Sequence, residues 1–309
     1  MGLKCNTSSN ASAFPGSQLS LVPPIDYKTI KFQKSIKKFE GYTSFSGPWG
    51  ISFGSKGNLH IADTDAQKIL IYDEEDTFVR SVIFQQQTDK PYPRGLAVNP
   101  NGDIYIAVSN YGEIQVFSSQ GIPTRKYGTK GTGVSQFLLP RSVTLGPNME
   151  VIVADTENHR IQILTDGDAP RVFGRRGKEN GEFIYPICVA CFVHPQAGTV
   201  LAVTDCDNHR IQMFNLQGEH IRTFGTLGSG PGQLNTPIGI GFDSRGNMIV
   251  ADSRNNRIQI FDFNGKYIHH FGQKGQTETD FDDPKCLAVD KNGRIAVADF
   301  RNKRVQIYS

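Results

Sequence analysis

The chain has 309 residues, 20% of them charged, 38% hydrophobic and 10% aromatic, with 32 Gly, 16 Pro and a single Trp. Its 33 Lys and Arg against 30 Asp and Glu leave a formal net charge of +3, which excludes a globally basic surface and makes any nucleic-acid contact a matter of local patches. Membrane-spanning helices of roughly 18 apolar residues are absent, and five unevenly spaced cysteines (Cys5, Cys188, Cys191, Cys206, Cys286) argue against a disulfide framework, so a cytoplasmic chain with reduced thiols is expected.

In chain order, residues 1–28 read as a flexible leader rich in Ser and Asn. They lack the apolar core of a secretory signal, so the sequons at Asn6 and Asn10 carry no weight. The Met1-Gly2 start has Asn6 where a myristoylation signal needs Ser or Thr. Residues 29–309 are expected to form one domain, beginning with a strand at Ser35–Phe39.

From there a unit recurs. Val153-Ala154-Asp155-Thr156-Glu157-Asn158-His159-Arg160-Ile161-Gln162-Ile163 returns as Val203 to Met213, Val250 to Ile260 and Val297 to Ile307, with weaker copies at Ile61–Ile71 and Ile106–Val116. The anchor positions 63, 108, 155, 205, 252 and 299 are 45 to 50 residues apart. Each copy has an opening proline (Pro48, Pro93, Pro140, Pro186, Pro237, Pro284) and a short apolar run. A turn, a run ending at the Asp, an Arg-Ile-Gln-Ile run and a fourth strand before Gly follow. Four short antiparallel strands in such a period describe a propeller blade. The fold class is therefore all-β, a six-bladed β-propeller. Its sixth copy stops one strand short at Tyr308, so the strand near residue 36 is expected to close the last blade and the ring. Cys188-x-x-Cys191 lies within a strand, where residues three apart point to opposite faces, and it has no matching second half; no metal is expected there.

The Asp-x-x-Asn-His-Arg-Ile-Gln core, best kept at Asn158-His159-Arg160 and Asn208-His209-Arg210, resembles the NHL-repeat family over about residues 34–308. The resemblance implies a six-bladed propeller like those ending TRIM-NHL proteins, which bind U-rich or hairpin elements of messenger RNA or recruit substrates for ubiquitination. RING, B-box and coiled-coil segments are absent from these residues, so ligase activity would need another chain or subunit. Blade II departs from the pattern with Val108 for Asp and Glu113 for Arg, and blade I with Ala66 for Asn.

Residue types that recur at one position in blade after blade read as scaffold. The Asp is expected to cap its turn through backbone N–H groups, the Arg to pair locally, and Gly50, Gly95, Ser142, Cys188, Gly239 and Cys286 to permit close packing of the inner strands. Function is expected where copies differ. The residues after the opening prolines run Lys285, Trp49, Arg94, Arg141 from blade VI to blade III, a basic arc with an aromatic in it. The loops joining second and third strands add Tyr111, Arg254, Phe300 and Arg301; Tyr92 and Tyr185 precede opening prolines, and Arg175-Arg176 extend the track. Cations that follow phosphates and rings that stack bases suit single-stranded nucleic acid, with Asn110 or Asn255 reading base edges.

RNA recognition, single-stranded, U-rich or hairpin-loop, in post-transcriptional regulation is thus the leading expectation. A protein-interaction or substrate-recruiting propeller of a TRIM-type ligase is the alternative, since Arg, Trp and Tyr also anchor protein partners. An enzyme is disfavoured: the channel mouth holds Trp, Arg, Arg, Ile, Ile and Lys instead of converging carboxylates or histidines, the seven histidines are dispersed, and no nucleophile-elbow or phosphate-loop motif occurs. No cofactor, small-molecule substrate or membrane is expected.

Overall fold

The computed structural model describes residues 27–37, 41, 44–84 and 89–309. Five of its six blades each use four consecutive antiparallel strands, ordered from the channel outward. Blade I has Pro48–Phe53, Leu59–Asp63, Lys68–Tyr72 and Phe78–Ile83, and blade II has Pro93–Val98, Ile104–Val108, Glu113–Phe117 and Pro123–Tyr127. Blade III has Pro140–Leu145, Val151–Asp155, Arg160–Leu164 and Arg171–Phe173; blade IV has Pro186–His194, Gly198–Asp205, Arg210–Asn215 and His220–Phe224. Blade V has Pro237–Phe242, Met248–Asp252, Arg257–Phe261 and Tyr267–Phe271. Blade VI takes Pro284–Val289, Ile295–Asp299 and Arg304–Tyr308 from the end of the chain and its outermost strand, Phe32–Ile36, from the beginning.

That closing strand lies three residues earlier than the sequence suggested. Ile36 pairs with Val305, Phe32 with Tyr308, and a register shift falls between Phe32 and Lys34; Lys38 and Phe39 lie outside the described residues. Just upstream, Tyr27 is only 4% exposed and gives its hydroxyl hydrogen to Asp243 in blade V. It packs with Ile249, Phe281 and Tyr308, so order reaches at least two residues ahead of the expected domain boundary.

The inner strands stand side by side around the ring, blade VI against blade I included. A Cβ at Gly50 would fall 2.1 Å from the Arg94 carbonyl oxygen, and one at Gly239 2.5 Å from that of Lys285. Only small residues fit, and Ser142, Cys188 and Cys286 complete the same ring, with Ser142 Oγ donating to Cys188 Sγ at 3.6 Å. Alternation then assigns each second strand's two faces to different neighbours. Leu59 and Ile61 pack towards blade VI, while Ala62 packs towards Ile104 and Ile106 of blade II. Cys188 and Cys191 are separated in the same way, facing blades V and III respectively.

The recurrent Asp does not cap its own turn in blades III to VI. Asp155 is fully buried and accepts from the Leu138 amide of its opening loop (2.8 Å), Asn158 Nδ2 (2.9 Å), Arg160 Nε (2.7 Å) and Gln162 Nε2 (2.9 Å). Asp205, Asp252 and Asp299 repeat the set. Because the Arg also donates to carbonyls of the preceding loop, the motif ties each blade to the connection that leads into it. In blade II, Glu113 reverses the polarity and pairs with Lys126 at 2.8 Å.

Two further belts join the blades. A hydroxyl next to the anchor position bonds the next blade's opening-proline carbonyl: Thr64 to Pro93 (2.6 Å), Ser109 to Pro140 (2.5 Å), Thr156 to Pro186 (2.8 Å) and Ser253 to Pro284 (2.5 Å). On the outermost strands of five blades, a basic residue reaches the next blade's outer turn, while blade V has His269 at that position. Arg80 bonds the Ser119 and Gln120 carbonyls, Arg125 pairs with Asp166, Arg171 bonds Leu216, Arg222 bonds Asn264, and Lys34 closes the circle on Asp76 at 3.0 Å. Their common register was readable in the repeat, but a lone Arg or Lys on the exposed strand of five copies resembles an ordinary solvated charge.

Candidate functional site

The opening loops and the second-to-third loops emerge on one face. Each opening proline pairs with the anchor residue of its blade, from Pro48 with Asp63 to Pro284 with Asp299. Second-to-third loop amides also donate to opening-loop carbonyls, as Ser109 does to Tyr92 and Arg254 to Asn235. All twelve expected site residues therefore belong to loops or strand starts at this face, but they differ in what they offer.

Trp49 is the main correction. It is 7% exposed and plugs the channel with Ile187, Cys206 and Ile238, flanked by Tyr185 and Phe300. Phe300 meets it edge-on at 5.8 Å, Arg94 lies 3.9 Å from its ring centroid and Lys285 5.0 Å. A ring so covered is no stacking platform; it is the floor on which the cations rest. Phe300 and Cys206 occupy the positions that carry the interblade hydroxyl in the other four blades, so blades VI and IV exchange that hydrogen bond for apolar packing around Trp49.

Several other rings and charges are also committed. Tyr185 packs on His159 at 4.8 Å, and its amide donates to His159 Nδ1. His209 and Asn256 accept in the same way from Thr236 and Asp283, which explains the recurring His or Asn as an interblade link. Tyr111 is half-buried and gives its hydroxyl hydrogen to the Asp89 carbonyl. Asn110 and Asn255, expected to read base edges, spend their amides on Tyr92 and Lys90, and on Gly228 and Asp252. Arg175 pairs with Glu182 at 2.8 Å, Lys285 with Asp283 at 2.7 Å, and Arg301 more loosely with Asp283 at 3.5 Å.

What remains open is a smaller set. Arg94 and Arg141 sit beside one another, and among the described residues neither forms an ion pair with a carboxylate. Burial, with the repulsion of Arg141 added, pulls Arg94 down to about 10 against a weaker attraction from Asp65, which is not in ion-pair contact. Burial likewise pulls Lys285 down, against the pull of Asp283. Around this centre, Tyr92 is 48% exposed, and Arg176 and Arg254 are exposed without an ion pair among the described residues. Chemically the face offers two crowded guanidinium groups at the channel mouth, an accessible ring beside them and further cations outward, an arrangement complementary to spaced anionic groups.

Among the described residues, no group of three or more His, Cys, Asp or Glu is placed to hold a metal ion, and no helix is long and apolar enough to cross a membrane.

Comparison with known proteins agrees with the repeat. Residues 137–164, 234–261 and 281–308, which cover the first three strands of blades III, V and VI, match the family described as NHL repeat. The Drosophila melanogaster protein brain tumor is 35% identical over 126 residues, covering 40% of this chain and 12% of that protein. The Caenorhabditis elegans B-box type zinc finger protein ncl-1 is 32% identical over 125 residues, covering 40% and 14%. The chain thus spans a small part of the length of these relatives. Among solved structures, a streptogramin B lyase superposes with a TM-score of 0.64 at 15% identity over 91% of this chain and 97% of that one, a likeness of fold.

Proposed function

We propose that this NHL-repeat propeller, which resembles the C-terminal domains of TRIM-NHL proteins, binds single-stranded or hairpin-loop RNA across the face that carries Arg94 and Arg141, and acts on messenger RNA in the cytoplasm without catalysing a reaction. The observation that carries the reading is the pair of neighbouring guanidinium groups, partly buried and without a carboxylate partner among the described residues. A phosphate between them would relieve both the repulsion and the desolvation. Tyr92 would stack a base, while Arg176, Arg254 and Arg301 would follow the backbone outward.

The test is titration of short U-rich and mixed-sequence single strands into the protein at several salt concentrations. If about four phosphates are neutralised, log K falls against log salt with a slope of roughly −3. Binding that is salt-insensitive, or unchanged in Arg94→Ala/Arg141→Ala, rejects the proposal. A partner captured equally before and after nuclease digestion, and lost with the same variants, would assign the face to protein instead.

A further inference from the structure

A cleft between blades I and II opens on the face opposite Trp49, with a volume of about 470 Å³, within the range of small-ligand sites. Its wall contains His60, on the second strand of blade I and directed at blade II like its neighbour Ala62. The same position in the other blades is Tyr105, Ile152, Ala202, Ile249 and Ala296, so blade I alone places an imidazole there. His60 is 2% exposed, and its Nδ1 has no hydrogen-bond partner. Such a buried orphan is uncommon and costly.

The neighbouring groups fix its polarity. Asn58 Nδ2 lies 3.4 Å from His60 Nε2; as an amide donor it makes Nε2 the acceptor and leaves the ring proton on Nδ1. Burial holds the ring neutral, at about 4, so Nδ1 offers one neutral N–H. Arg80, which also lines the cleft, bonds only backbone carbonyls and has no carboxylate partner among the described residues. The inner part thus presents donors, while the rim presents Asp73, Glu74 and Glu75.

The geometry points to a binding site for a small zwitterion of free amino-acid size, its carboxylate on Arg80 and, once binding uncovers it, on the buried His60 Nδ1–H, and its ammonium towards the acidic rim. Nothing in this site depends on the Arg94 face.

The test uses the protein with ring-labelled histidine, titrated with free amino acids, with acetate as the carboxylate alone and with ethylamine as the ammonium alone. The expected result is a saturable shift of the His60 ring signal with at least one amino acid. Acetate and ethylamine should each bind about tenfold more weakly, the equivalent of one lost polar contact. His60→Leu, which installs an apolar residue and removes the reporting ring, should abolish binding as followed by calorimetry while melting temperature and RNA affinity persist. Arg80→Gln should weaken it with His60 in place, and so serves if the first variant does not fold. Absence of a saturable shift with every amino acid, acetate binding as tightly as any amino acid, or undiminished binding in both variants overturns the assignment.

Discussion

The guanidinium carbon of Arg94 lies 3.9 Å from the ring centroid of Trp49, so the only tryptophan of the chain reports on an unpaired cation at the proposed interface. Its emission should change when RNA binds, and the response should vanish in Arg94→Ala. An unchanged Trp49 spectrum at saturating RNA would place the ligand elsewhere. Trp49→Ala should itself cost about 3–5 kcal/mol of stability by emptying the channel plug, with Trp49→Phe recovering much of it in urea denaturation.

Tyr92 separates binding from stability. Because it is 48% exposed, Tyr92→Ala should leave the melting temperature unchanged while weakening single-stranded RNA by about 1–3 kcal/mol, the value of one stacked base. Arg175→Ala, which removes a side chain 82% exposed and already paired with Glu182, should change affinity far less than Arg94→Ala.

The motif aspartates should be costly to remove. Asp252 is fully buried and holds Arg257, Asn255, Gln259 and the Asn235 amide, so Asp252→Ala leaves a buried guanidinium without its counter-charge. A loss of about 3–5 kcal/mol in urea unfolding is expected. Arg125→Ala, at an ion pair with both side chains largely exposed, should cost under about 1 kcal/mol.

His60 gives stability a pH dependence of definite sign. Folding lowers its pKa from 6.5 to about 4, chiefly through burial. Between these values the unfolded chain binds a proton that the folded chain does not, so stability is complete above about 6.5 and is lost as pH falls towards 4. The increment is roughly 3 kcal/mol and should be absent in His60→Leu. Comparing the two proteins at neutral and acid pH isolates it, since the other histidines are common to both; identical acid profiles would refute it.

Ring closure can be tested from the beginning of the chain. A protein starting at residue 37 lacks Tyr27 and the strand Phe32–Ile36, exposing the edge of Arg304–Tyr308. It should melt lower and aggregate. Tyr27→Phe should lose about 1 kcal/mol by removing only the bond to Asp243. An unaltered melting temperature in the truncated protein would show the closing strand to be dispensable.

The fold was legible because a long motif recurs in register: each opening proline, anchor Asp and Arg-Ile-Gln run marks a strand end. The closing strand was misplaced because a bulge between Phe32 and Lys34 breaks the alternation that periodicity depends on. At the candidate site, the basic arc was readable, since copies differ visibly there. Its depth was not: whether Trp49 faces solvent depends on Ile187 and Ile238, contributed from blades IV and V, three and four positions along the chain. His60 escaped notice because one polar residue in an otherwise apolar register looks like tolerated variation until its unpartnered nitrogen is seen.

Lys31 and Ser309 exchange two backbone hydrogen bonds, at 3.0 and 3.1 Å, so the closing strand and its partner begin and end at the same point. Tension applied between neighbours attached to the two ends would therefore load that strand pair one rung at a time, peeling it like a zip instead of shearing all rungs together. Such a pull would act on blade VI once the Tyr27 anchor on blade V had yielded.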